Sequence, residues 1–321
     1  MKNPSLFESL RSLRLVSSVI VLITGIVTLF ISCDYKKDEE TVEEAIEFKQ
    51  IIPVQREDRQ PQEVQDTPPV HTKPVQPEVP VITAEDFFAE GLEYFHKNRF
   101  EDAIASFNKA IRMDAAMTEA YKMRAMAYTN LGMINEAAAS FVKVTELDRN
   151  NHEAYFNLGT LYHKKGMIDD AIRAFERYVS LRPDDAKIHY NLGYLYDKKN
   201  STDKAIGSYQ KAIKSNPKHV DAHYNLGVIY TNKGMFDDAI EIFQKVLSLD
   251  SQNHAAHYNL GFVYHQKGLY HDAIVICEKL LELSPGNAKA YLLLGDTYRK
   301  LGMSKEAREA YDMYRQLLFI R

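Results

Sequence analysis

From residue 84 onward the apolar positions repeat every 34 residues, with helical spacing inside each half of the period. The runs YFNLGTLY from Tyr155, HYNLGYLY from His189, HYNLGVIY from His223 and HYNLGFVY from His257 mark the repeat without a slip. With Gly193 as the eighth place of its unit, seven units fill 84–117, 118–151, 152–185, 186–219, 220–253, 254–287 and 288–321. A small residue holds the eighth place (Gly91, Ala125, Gly159, Gly193, Gly227, Gly261, Gly295), and a tyrosine follows three later, from Tyr94 to Tyr298. In the second half an alanine, from Ala103 to Ala307, stands four residues before Phe107, Phe141, Phe175, Tyr209, Phe243, Cys277 or Tyr311. Each unit is therefore predicted to be a helix, a turn and a second helix. Gly132, Gly166, Gly234, Gly268 and Gly302 break between the two helices, and Pro183, Pro217 and Pro285 stop the second. A strict period of this size predicts units stacked on their neighbours, not one globular core.

The small residue gives room for close helix approach and the ring fills the space beside it. This YNLG, Tyr, Gly, Ala, Phe and Pro pattern resembles the tetratricopeptide repeat family over about three quarters of the chain. The resemblance implies an all-α fold: fourteen antiparallel helices in a right-handed superhelical α-solenoid, with the first helix of each unit lining the concave face. Some units depart from the pattern. Asn98 and Asn200 stand where glycine is usual, and Ala115 stands for proline. Leu317, Leu318, Phe319 and Ile320 lie in the last helix with no capping helix after it, so fraying or self-association is expected there.

The segment before the repeats has a different character. Leu15 to Ser32 is a run of eighteen residues without a charge, preceded by Arg11 and Arg14. As a helix it would be roughly 27 Å long, close to the ~30 Å of a bilayer core, so a cleaved signal peptide and a transmembrane anchor are both open. The ending Leu29-Phe30-Ile31-Ser32-Cys33 resembles a bacterial lipoprotein signal, which implies a diacylated Cys33 as the new N-terminus. Either outcome attaches the chain to a membrane, and the arginines place the repeats on the extracytoplasmic side, periplasmic or at the cell surface. Residues 34–83 then form a linker holding seven of the eleven prolines, too poor in apolar residues to fold. Only Thr41 to Ile52, with Thr41 and Glu44 placed as a capping box, has helical character there.

Charge narrows the classes of function. The net charge of -4 is concentrated in residues 34–80, where twelve acids meet six bases, and the repeat region is neutral. No basic stripe exists to neutralise phosphates, so nucleic-acid binding is excluded. Cys33 and Cys277, the only cysteines, lie in different kinds of segment and are not expected to pair. Cys277 takes a ring position and reads as a buried, inert thiol.

In the tetratricopeptide family the fifth and sixth places of each unit face the groove. Here they read Phe156-Asn157, Tyr190-Asn191, Tyr224-Asn225 and Tyr258-Asn259. An amide both donates and accepts, so the four asparagines suit an extended peptide backbone, as in some family members. The alternative is that these residues only reflect the common repeat sequence. His189, His223 and His257 recur one per unit, too far apart to share an ion, and read as packing groups. No nucleophile elbow, phosphate loop, zinc-protease helix or dinucleotide fingerprint appears. The expected function is a non-catalytic, cofactor-free scaffold holding a protein or peptide, with self-assembly through the last unit as the alternative.

Overall fold

The computed structural model describes residues 81–319; the apolar run, Cys33 and the proline-rich linker to residue 80 lie outside the described residues. Fourteen α-helices and no strand occur among the described residues: α1 (Ala84–His96), α2 (Phe100–Met113), α3 (Thr118–Asn130), α4 (Ile134–Leu147), α5 (His152–Lys164), α6 (Ile168–Leu181), α7 (Ala186–Lys198), α8 (Thr202–Ser215), α9 (Val220–Asn232), α10 (Phe236–Leu249), α11 (His254–Gln266), α12 (Tyr270–Leu283), α13 (Ala288–Lys300) and α14 (Ser304–Phe319). Odd-numbered helices are the first of each unit and even-numbered ones the second. Every first helix packs on the second helix of its own unit, and every second helix on the first helix of the next, so two layers run along one stack. Among the described residues no helix is long and apolar enough to cross a membrane.

Chain reversal inside the units has one local cause. The second residue after the first helix takes a left-handed conformation, at Gly132, Gly166, Gly234, Gly268 and Gly302 and also at Asn98 (φ 55°) and Asn200 (φ 56°). Asparagine tolerates this region better than other side chains, so the two departures seen in the sequence keep the same turn. The next amide then donates to the carbonyl of the unit's eleventh-place tyrosine, as from Met133 to Tyr128 and from Ser201 to Tyr196. That is the hydrogen bond of a Schellman ending. First helices begin on side-chain caps at Thr83, Asn151, Asp185, His219, Asn253 and Asn287, which satisfy amides that a helix start leaves open.

The core sits between the layers. Ala103, Ala137, Ala171, Ala205, Ala239 and Ala273 have no exposed surface, and Phe107, Phe141, Phe175, Tyr209 and Phe243 are buried beside them. A methyl built on Gly193 would lie 2.7 Å from the Tyr209 ring, so the eighth place must be small where a ring faces it. Burying each such ring contributes about 2–3 kcal/mol.

Two rows of polar bridges tie successive units. Near the turns, Lys165 donates to Asn135, Lys199 pairs with Asp169, Lys233 with Asp203 at 2.9 Å and Lys267 with Asp237. In the second row, the Tyr196 hydroxyl donates to Glu176, Gln210 to Tyr230 at 3.2 Å, Gln244 to Tyr264 at 3.0 Å and Tyr298 to Glu278 at 3.2 Å. Burial first, and then the bond to Glu176, push the Tyr196 hydroxyl well above its ordinary range, which keeps it a donor.

Candidate functional site

The first helices form a continuous strip, because side-chain contacts run from one first helix to the next. Lys122 on α3 reaches Glu153 on α5 at 3.6 Å, and the Lys289 ammonium on α13 lies 5.9 Å from the Tyr258 ring on α11. Between α7, α9 and α11 the links are amide to hydroxyl. Asn225 donates to Tyr190 and Tyr209, both at 3.4 Å, and Asn259 donates to Tyr224 at 3.0 Å.

The structure thus brings all eight sequence-predicted residues onto this strip, with unequal environments. Phe156 is half-buried against Tyr178, with ring centroids 5.9 Å apart. The half-buried Asn157 donates to its own helix at the Glu153 carbonyl, 2.8 Å away. Tyr190 is buried, with His219 stacked 4.9 Å from it and Tyr209 at 5.8 Å. Tyr224 and Tyr258 are half-buried, Tyr224 lying 6.0 Å from Phe243. Asn225 is 4% exposed and Asn259 half-buried. Asn191 is 3% exposed, and both atoms of its amide group are buried without a hydrogen-bond partner. The four asparagines are therefore not a uniform ladder: three donate to acceptors within the protein and the fourth has no partner.

The difference follows two rings of the preceding unit, one at its fifth place and one on its second helix. An asparagine at the sixth place meets the fifth-place ring of the preceding unit, 35 residues away in the two pairs that bond. For Asn225 and Asn259 the fifth-place ring is a tyrosine with a hydroxyl; at the places equivalent by the 34-residue period, Asn191 has Phe156 and Phe175, neither of which carries one. The step from phenylalanine to tyrosine is visible in the fifth-place column of the sequence, but its effect on the asparagine of the next unit appears only in the stack.

The remaining polar groups serve the stack. The His189 ring lies 2.7 Å from the Pro183 carbonyl and that of His223 3.1 Å from the Pro217 carbonyl; where serine replaces that proline, His257 turns to Asn253 at 3.0 Å. Burial lowers the His223 pKa below its ordinary value. Cys277 has no exposed surface, and burial pushes its thiol up to about 12. Glu90 and Arg124 stand at the seventh place, held by leucine in the five later units, and Ser106 and Ser140 of the second helices partner them at 2.8 and 3.2 Å. On the last unit an open cavity of about 500 Å3 is lined by Leu292, Arg299, Tyr311, Tyr314 and Arg315, among others.

Comparison with known proteins matches this geometry to one family. Family models described as tetratricopeptide repeat or TPR repeat match residues 88–141, 125–166, 152–185, 190–254 and 252–318. No curated protein sequence matches the chain. Among solved structures, YrrB, described as a TPR protein with an unusual peptide-binding site, is 27% identical, with a TM-score of 0.51 over 57% of this chain and 95% of its own. A MamA structure is 31% identical, with a TM-score of 0.49 over 54% of this chain and 94% of its own. MamA from Desulfovibrio magneticus RS-1 is 20% identical, with a TM-score of 0.50 over 53% and 96%. With helix pairs, turns and interlocking residues all in register, the chain belongs to the tetratricopeptide repeat family.

Proposed function

We propose that the protein is a non-catalytic scaffold that holds an extended segment of a partner protein along its first-helix face, while its N-terminal segment attaches it to a bacterial membrane. The observation that carries this reading is the strip itself. Four adjacent first helices carry a ring and an amide at the fifth and sixth places; Tyr190, Asn191 and Asn225 are buried in the stack, while Phe156, Asn157, Tyr224, Tyr258 and Asn259 keep part of their surface open along the strip. Rings supply contact area and amides match peptide groups, which is the chemistry of extended-peptide recognition. The likeness to YrrB supports it, since that protein has a peptide-binding site on the same fold.

On this reading the proline-rich linker lets the stack reach partners away from the bilayer, and the repeats support assembly of an envelope complex on the extracytoplasmic side. Selecting dodecapeptides by display against the full chain in non-ionic detergent micelles tests the binding half. Peptides that bind wild type and lose affinity when Tyr224 and Tyr258 are both changed to alanine support it; peptides indifferent to that change refute it. Mass spectrometry of the membrane-extracted chain tests the other half. A diacylated N-terminal Cys33 assigns a lipoprotein, an intact apolar run assigns a transmembrane anchor, and a protein found wholly in the soluble fraction refutes attachment. The cavity on the last unit favours a second reading, self-association through α13 and α14, which concentration-dependent light scattering checks.

A further inference from the structure

We propose that copies of the chain join head to tail, the acidic outer face of the first unit of one copy seating on the arginine-lined outer face of the seventh unit of another. This rests on the self-association reading and adds which two faces meet and which charges select them; it does not depend on the peptide-binding reading. Inside the stack the seams follow one rule. The twenty-first and twenty-eighth places of one unit pack with the third, seventh and tenth places of the next, as Ile240 and Leu247 do with Ala256, Leu260 and Val263. In the six later units the third place is alanine or isoleucine, the seventh is leucine from Leu158 onward, and the tenth carries no charge. The first unit has Asp86, Glu90 and Glu93 at those places. The twenty-first place runs Ile104, Ala138, Ile172, Ile206, Ile240 and Ile274, and the twenty-eighth is likewise uncharged in those units; the seventh unit has Arg308 and Arg315.

The substitutions thus fall on seam places alone and are opposite in sign at the two ends of the stack. Asp86, Glu93, Arg308 and Arg315 are exposed and Glu90 is half-buried. Lys97 lies 3.5 Å from Glu93, whose side chain nonetheless keeps 74% of its surface, and Ser106 donates to Glu90 at 2.8 Å. On the seventh unit the open cavity of about 500 Å3 is lined by Ala307, Tyr311 and Tyr314 together with Arg299, Arg308 and Arg315. Arg299 donates to Asp296 at 3.0 Å and Arg315 to Asp312, whereas Arg308 has no hydrogen bond or ion pair among the described residues. Acids of one copy meeting these arginines give the pairing its specificity. Two first units face to face would set acid against acid, and two seventh units arginine against arginine, so like faces are selected against. A contact between unlike faces is heterologous and extends into an open array.

Sedimentation velocity on the full chain, in non-ionic detergent with micelles in large excess, reads mass against protein concentration. Wild type is expected to grow past a dimer. Glu93→Arg alone, and Arg308→Glu combined with Arg315→Glu, should each weaken self-association about tenfold. An equimolar mixture of the two variants should associate again, since the unchanged acidic face of one meets the unchanged arginines of the other; a misfolded variant would not be rescued in this way. The proposal falls if Glu93→Arg associates as wild type does, if the mixture is no tighter than either variant alone, or if assembly stops at a dimer indifferent to both changes. In those cases association of the wild type leaves the self-association reading standing, whereas a wild type that stays monomeric at every concentration removes both.

Discussion

Replacing Asn191 by leucine should make the protein more stable, although it removes a polar residue from the strip. Leucine shares the branching and heavy-atom count of asparagine, is bulkier by its two methyl groups, and carries no group that needs a partner. At 3% exposure the asparagine side chain has left water, and neither end of its amide has been compensated. An unmade buried hydrogen bond costs about 1–3 kcal/mol, so a gain of about 2 kcal/mol is expected, less any strain from repacking. Asn259→Leu is the matched comparison: it deletes a bond of 3.0 Å to the Tyr224 hydroxyl and should cost about 1 kcal/mol. Urea denaturation followed by circular dichroism separates the two. Because repeat arrays can unfold unit by unit, midpoints and slopes should be compared in one background. Phe156→Tyr provides an internal control, raising the midpoint in wild type and not in the Asn191→Leu variant. A coupling of about 1 kcal/mol between these positions is expected. An Asn191→Leu midpoint lowered as far as that of Asn259→Leu would show that Asn191 has a partner, and the reasoning would fail.

Three further outcomes follow from the packing. Gly193→Ala sets a methyl 2.7 Å from the Tyr209 ring, so overpacking of about 1–3 kcal/mol should outweigh the gain in helix propensity of about 1 kcal/mol. Gly207→Ala, with nothing within 4 Å, should instead raise the urea midpoint; the same sign for both would contradict the interlock. His219, His223 and His265 have pKa values lowered mainly by burial. The unfolded chain then binds more protons than the folded one as pH falls below the ordinary histidine value of 6.5, so stability present above that value is lost on acidification. Urea midpoints at about pH 7.5 and about pH 5.5 should differ in that direction, and less so in His223→Gln. Cys277, in a Cys33→Ser background, should resist a thiol reagent in the native state and react on denaturation; rapid native labelling would place it at the surface.

Much of the fold was legible because its determinants are local or lie within one unit. Gly193 announces the ring at Tyr209 sixteen residues later, and the turn residues mark the helix ends. Even Asn98 and Asn200 fit, since what the turn requires is a left-handed backbone and not glycine as such. The candidate strip was legible in place and not in state. Whether an asparagine is committed depends on a residue 35 positions earlier, one unit and one residue away, and becomes visible only when the units are stacked. Glu90 and Arg124 were hidden for a similar reason: charges at a leucine place look like breaks in the pattern until Ser106 and Ser140 are seen to meet them.

The bridges between units also determine where the stack responds to salt. The junctions from the third unit to the sixth are stitched twice, by a lysine bridge and by a tyrosine bridge. At the junction of the first two units, Leu131 stands where the lysine would be, and Arg124 reaches Asn108 at 2.7 Å instead. The lysine row thus runs through the middle of the stack and does not reach the first seam. Salt that screens exposed ion pairs would therefore act on the lysine row through the middle of the stack and spare the first seam, which has no such pair in that row.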